Sequence, residues 1–153
     1  MVKTLYKANL FDNDTSNFIF TYLRDNIQWQ EGVRSKSGFT RLGKAVNLTE
    51  DDIIGSTVMI ALEKMGITAK VYGCYLNYYK DGSYYTPNHT HPGTVQMVLS
   101  FNERDGERKL KVGTKDYLLE NGSGIVFGGS SHGIAKEENR NGRISIATFM
   151  KID

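Results

Sequence analysis

Residues 69–79, AKVYGCYLNYY, mark the point where the hydrophobic pattern of this chain changes period. Valines, tyrosines, leucine and cysteine crowd a stretch whose alternation has a period of two, the signature of a β-strand. Stretches of the same kind follow at short intervals: 94–101 (TVQMVLSF), 107–112 (ERKLKV), 116–119 (DYLL), 123–127 (SGIVF) and 143–150 (RISIATFM). Asp81-Gly82, Asp105-Gly106, Asn121-Gly122 and Asn141-Gly142 separate them as turn dipeptides. Short strands at this spacing predict a β-sandwich or barrel.

Upstream of residue 69 the period is helical. Asp12, Asp14, Thr15 and Ser16 offer N-cap chemistry, and Phe18, Ile19, Tyr22, Leu23 and Ile27 then recur on one helix face. A second helix is expected after Leu48, with Thr49 and Asp52 in capping-box register and Ile53, Ile54, Val58, Ala61, Leu62 and Met65 as its apolar stripe. Gly66 stands where that helix needs a left-handed residue to end. Between the helices, residues 31–44 (EGVRSKSGFTRLGK) are polar, basic and spotted with glycine, and read as a loop or short ribbon. The chain is therefore α+β, mainly β, with two N-terminal helices.

Its 153 residues predict a single domain spanning 1–153, long enough to bury a real core. Nineteen basic against 17 acidic side chains leave a formal charge of +2, too small by itself to argue for a nucleic-acid partner. Cys74 is the one cysteine, so an intrachain disulfide is excluded and a reducing, cytoplasmic setting is expected. No stretch reads as a signal peptide or a transmembrane span, so no membrane partner is expected.

Chemistry concentrates in the histidines. The chain has three, and His89 and His91 sit one residue apart, with His132 well downstream after a glycine-rich strand end. Alternate residues of a strand share a face, so His89 and His91 can close on one ion, and a third ligand from a distant strand completes a facial triad with open positions. Imidazoles suit iron, zinc, copper or nickel. Arg143 and Ser145, two apart on the last strand, can together hold a carboxylate through a guanidinium fork and a hydroxyl. Asn77 and Tyr79 alternate onto one face and can bond an anionic ligand. In the basic stretch, Arg34, Lys36, Arg41 and Lys44 interleave with Phe39, a pattern that can hold a nucleic-acid backbone and stack a base. Phe39 and Arg41 are accordingly candidate substrate contacts.

The order NYYKDG, HTH, NGSGIVFGG, H, RIS, TF, running from about Tyr75 to Ile152, resembles the AlkB-like branch of the iron(II)/2-oxoglutarate-dependent dioxygenases. Thr40-Arg41-Leu42 resembles a further segment of that branch, near its substrate lid. The resemblance implies a double-stranded β-helix, or jelly roll, with helices packed on one side. It implies that His89 and His132 ligate iron(II), that Arg143 pairs with the distal carboxylate of 2-oxoglutarate, and that Asn77, Tyr79 and Ser145 assist. Dioxygen is then the second cosubstrate, and the activity is hydroxylation or oxidative dealkylation of a nucleic-acid base or a protein side chain.

Two positions depart from that pattern. His91 stands where the family has aspartate, so three neutral imidazoles replace two and a carboxylate; Asp81 or Asp116 are alternative sources of the anionic ligand. The family's last arginine is also missing: alignment on Arg143 places Phe149 there, alignment on Thr148-Phe149 places Met150 there, and a bulge in the last strand would reconcile the two. Three readings follow. One is an iron(II)/2-oxoglutarate oxygenase, the second a three-histidine metalloenzyme that does not use 2-oxoglutarate, and the third an oxygenase-like scaffold that binds without catalysis.

Overall fold

The computed structural model describes residues 3–32, 34, 35 and 38–153, with side chains described outside residues 33–39. β1 (Leu5–Lys7) leads into α1 (Asn13–Asn26). Four short strands follow, β2 (Gln30–Glu31), β3 (Arg34–Ser35), β4 (Gly38–Phe39) and β5 (Leu42–Ala45), and then α2 (Asp52–Lys64). The rest is β: β6 (Ala69–Tyr79), β7 (Thr86–His89), β8 (Val95–Asn102), β9 (Arg108–Val112), β10 (Lys115–Leu119), β11 (Ser123–Phe127), β12 (His132–Ile134) and β13 (Arg143–Ile152).

Among the described residues the strands form a seven-stranded sheet, ordered β1-β11-β8-β13-β6-β5-β2, a four-stranded sheet, ordered β10-β9-β12-β7, and a β3-β4 ribbon. Every pairing is antiparallel. β13, the last strand, pairs with both β6 and β8 and sits at the centre of the large sheet. Because side chains alternate across a strand, its even residues Ile144, Ile146 and Met150 join one apolar cluster, which also contains Ile19, Phe20 and Leu23 of α1 and Ile54, Val58 and Leu62 of α2. Ala147, on the opposite face, joins a second cluster with Leu110, Leu119, Ile125, Phe127 and Ile134. The two sheets thus face each other as a jelly roll, and both helices cover the outer face of the larger sheet.

Local chemistry explains the helix ends. Asp12 accepts the backbone N–H of Thr15 at 2.7 Å and caps α1. Asp51, rather than Thr49, caps α2, accepting the N–H of Ile54 at 2.9 Å; Thr49 is instead occupied with Asn47, whose Oδ1 accepts from both its backbone and its hydroxyl. Gly66 takes φ +69° and ends the helix as its position in the sequence predicts.

The long strands lie where the alternation places them, whereas shorter ones do not stand out in the sequence. β1, β2, β5, β7 and β12 have two to four residues each. Strands that short carry no periodicity, and their conformation is imposed by the longer neighbour they pair with. β7 also contains Pro87, which is tolerated because β7 is the edge of its sheet. Part of the 31–44 stretch becomes β5, joined to β6 through Leu42↔Tyr78 and Ala45↔Tyr75.

The last strand has no bulge of its own. Its pairing with β8 is continuous from Arg143↔Asn102 to Met150↔Val95. The irregularity between Phe149 and Met150 lies across β6, where Gly73 and then Val71 oppose them and Tyr72 is the extra residue. Arg143, Ser145, Ala147 and Phe149 therefore share one face, which puts Phe149 in line with Arg143.

Cys74 is buried, and burial pushes its thiol up to about 12. We expect it not to react with a thiol-specific disulfide reagent at pH 8 while the protein is folded, and to react stoichiometrically once denaturant is added. Rapid labelling of the native protein would contradict this packing.

Candidate metal centre

The histidines come together at the open end of the small sheet. β12 lies between β7 and β9, and its register sets His132 directly opposite His89. Gly133, next in line, is required there: a Cβ would sit 2.9 Å from both the backbone nitrogen of Asn88 and the carbonyl oxygen of Thr86. Ring centroids are 4.2 Å apart for His89 and His132, 4.7 Å for His89 and His91, and 5.4 Å for His91 and His132. One nitrogen from each of the three falls within 4.8 Å of the other two. His91 is not on the strand expected for it; β7 ends at His89, and His91 follows one residue beyond its neighbour Thr90 in the adjoining turn.

Two rings are oriented in the same way. His89 Nδ1 lies 2.8 Å from the carbonyl of Pro87, and His132 Nδ1 lies 3.0 Å from that of Ser130. A carbonyl oxygen only accepts, so each Nδ1 carries the proton and each Nε2 presents its lone pair. His91 is held differently, by the ring of Phe149 at 5.2 Å in an edge-to-face contact. Burial and the adjacent His89 lower the pKa of His91. Burial, reinforced by His89 and His91 and opposed by the Ser130 hydrogen bond, pushes His132 down to about 4. Neutral, pre-oriented imidazoles are the form that binds a divalent transition metal.

Neither alternative carboxylate is near. The three histidines form the cluster by themselves among the described residues. Asp81 accepts from the backbone and hydroxyl of Ser83, and Asp116 lies exposed on β10.

A cavity of about 470 Å³ opens beside the histidines, and Asn77, Tyr79, Arg143, Ser145 and Arg41 all line it. Asn77 and Ser145 are register partners on β6 and β13. Arg143 is fully buried and donates one bond, to the hydroxyl of Ser100 at 3.0 Å. Its Nε and Nη1 have no partner. Burial pushes this guanidinium down to about 10, so it stays charged at neutral pH. Two guanidinium groups approach the ring of Tyr79, with the Arg143 carbon 5.0 Å and the Arg108 carbon 5.6 Å from its centre, and its hydroxyl is 2.6 Å from that of Thr86. Among the described residues no carboxylate is buried to answer these two charges. Two orphaned donors on a buried cation, in a cavity with three convergent histidines, suit a carboxylate ligand.

Arg41 does not reach outward. Its Nε donates to Asn77 Oδ1 at 2.9 Å and its Nη1 to the hydroxyl of Thr40 at 3.2 Å. Lys36 lies outside the described residues, as do the side chains of Arg34 and Phe39. The sequence reading passed over two buried polar residues, one on the cavity wall and one behind Tyr79. Gln96 lines the cavity with its amide nitrogen 3.4 Å from His132 Nε2, and its signal was an amide in phase with Val98 and Ser100 on a mostly apolar strand. Arg108 is fully buried and donates to the carbonyls of Tyr84, Asp81 and Ala135; its signal was a charge in phase with the inward-facing Leu110 and Val112.

The sequence matches no family model and no curated protein. The fold matches solved structures at low identity. The non-heme alpha-ketoglutarate-dependent epimerase SnoN of nogalamycin biosynthesis superimposes with a TM-score of 0.72 at 10% identity, over 97% of this chain and 77% of that one. A prolyl-4-hydroxylase from Pseudomonas putida gives 0.67 at 14% identity, over 97% and 91%. HygX from Streptomyces hygroscopicus, solved with nickel and 2-oxoglutarate bound, gives 0.69 at 8% identity, over 96% and 82%. The chain thus has the double-stranded β-helix of the 2-oxoglutarate oxygenases.

The lowered His132 has a consequence for stability. The unfolded chain takes up this proton near pH 6.5 and the folded one only near 4, so the metal-free fold keeps the full contribution above pH 6.5 and loses it as the pH falls toward 4. Urea denaturation of metal-free protein should show a loss of about 3 kcal/mol from this group across that window. His132→Asn should flatten the curve by that share, and identical curves for the two proteins would refute the assignment.

Proposed function

We propose that this chain is an iron(II)/2-oxoglutarate-dependent oxygenase, acting as a single domain over residues 1–153. The observation that carries the reading is the pairing, within one cavity of a jelly roll, of three convergent imidazoles with a buried arginine whose Nε and Nη1 have no partner. His89, His91 and His132 would hold the metal. Arg143 would take the distal carboxylate, with Ser100 fixing the other arm of its fork. Asn77, Tyr79 and Ser145 share the cavity wall and would order the cosubstrate. When bound, iron(II) and 2-oxoglutarate supply the activation of dioxygen, with release of succinate and carbon dioxide, that oxidises a C–H bond of the primary substrate.

The protein's own contribution is orientation and exclusion of water. Phe127, Phe149, Val98, Leu110 and Ile134 make much of the cavity wall apolar, which strengthens each charge interaction inside it. The substrate would enter past Arg41 and Thr40. The motif order resembles that of the AlkB-like branch, which supports a nucleic-acid base, whereas solved neighbours include prolyl hydroxylases, one in complex with a peptide fragment. Arg41 is bonded into the cavity wall rather than turned toward a phosphate backbone, so a protein side chain is the substrate class we favour.

One observation supports a second reading. His91 replaces the anionic ligand, so the bound metal would keep its full +2 charge, as in a three-histidine metalloenzyme that does not use 2-oxoglutarate. The two readings separate in an anaerobic visible spectrum of the iron(II) protein. A charge-transfer band that grows on adding 2-oxoglutarate is expected, and Arg143→Met should weaken that titration by about ten- to a hundred-fold without releasing the iron. Iron bound with no band at saturating 2-oxoglutarate would overturn the first reading in favour of the second.

A further inference from the structure

Gln96 is the first residue on the cavity face of β8, with Phe127 and Phe149 as its register partners on the strands at either side. It is 3% exposed. Its amide nitrogen points at His132 Nε2, 3.4 Å away. The Ser130 carbonyl already fixes the proton on His132 Nδ1, so Nε2 carries a lone pair and the amide must be the donor. The reverse amide orientation would set an oxygen against that lone pair.

The same lone pair is the one a metal would take. Loading the triad therefore removes the acceptor that Gln96 now uses, while leaving its N–H buried. A buried donor without an acceptor is costly. Neither strand neighbour supplies a replacement, because Phe127 and Phe149 present only rings, and the Phe149 ring is already against His91. The replacement acceptor has to arrive with the metal's other ligand.

We infer that Gln96 binds the metal-chelating carboxylate of the 2-oxo acid, donating its amide N–H to that group while Arg143 holds the distal one. Gln96, Val98 and Ser100 alternate along the cavity face of β8, and the Arg143 guanidinium is bonded to Ser100. The two donors thus lie toward the ends of about 13 Å of strand, with both side chains reaching inward and Val98 between them. That arrangement suits a short, unbranched dicarboxylic 2-oxo acid. Gln96 would supply the hydrogen bond that Phe149 cannot.

This inference rests on the oxygenase reading, and its test keeps the two apart. The full-length protein is loaded with iron(II) without oxygen and titrated with 2-oxoglutarate, or with pyruvate, which has the chelating head and no distal carboxylate. The charge-transfer band reports both. Gln96→Leu should weaken both acids by about ten- to a hundred-fold, whereas Arg143→Met should weaken 2-oxoglutarate alone. Iron affinity in Gln96→Leu should be unchanged or tighter, since a competing donor has gone. Gln96→Glu keeps the size and polarity but loses the N–H, and should also weaken both acids. Unchanged affinities in both Gln96 variants, or a loss confined to 2-oxoglutarate, would overturn the inference and leave the oxygenase reading intact. A wild-type protein that holds iron and gives no band with either acid would overturn both.

Discussion

The central constraint on this molecule is the ladder that holds β13 between β6 and β8. It runs without interruption along β8 from Arg143 to Met150. A strand bonded on both sides has no freedom to rotate or slip, because a one-residue shift would send every side chain to the opposite face. Ile144, Ile146 and Met150 are thereby committed to the helices, and Arg143, Ser145, Ala147 and Phe149 to the cavity. Register here is held by the burial of both faces at once. The helical face has Leu76, Leu99 and Ile146 fully buried, and a slip would put Arg143 among them.

That commitment carries an electrostatic cost. Arg108 and Arg143 are both fully buried, and no buried carboxylate accompanies them among the described residues. An unpaired buried charge is strongly unfavourable. Part of the cost is offset locally. Arg108 donates to three backbone carbonyls, and both guanidinium groups approach the ring of Tyr79. Arg143 has less compensation, with a single bond to Ser100 and two orphaned N–H donors. A fold optimised for stability alone would not keep such a group. Its retention is intelligible if a dianionic ligand completes the site, since the preorganised donors then need no rearrangement when the ligand binds.

The histidine end of the cavity obeys the same logic of fixed partners. Pro87 and Ser130 present backbone carbonyls two residues before His89 and His132, and each sets the tautomer of its imidazole. His91 lies outside the strand and relies on an aromatic contact with Phe149. Two departures from the resembled family, the histidine in place of a carboxylate and the phenylalanine in place of an arginine, therefore meet in space. One removes a negative charge and the other a positive one, so the pair leaves the net charge of the site where a carboxylate and an arginine would have left it.

Much of this was determined by the sequence alone. Period-two alternation located β6, β8, β9, β10, β11 and β13, and helical spacing located α1 and α2, because burial on one face leaves its mark in residue order. The three histidines, Arg143, Ser145, Asn77 and Tyr79 were legible as residue types whose spacing suits metal and carboxylate. Only the tertiary structure decided the rest. β7 and β12 are too short to carry a period, and they exist because each pairs with a neighbour far away in the chain. Whether β13 carried a bulge could be read only from its partners, since a bulge is a relation between strands. The roles of Gln96 and Arg108 were invisible for the same reason. A polar side chain in an apolar strand acquires meaning from what lies across the cavity, and residues 36 positions apart, such as Gln96 and His132, meet only once the sheets have folded face to face.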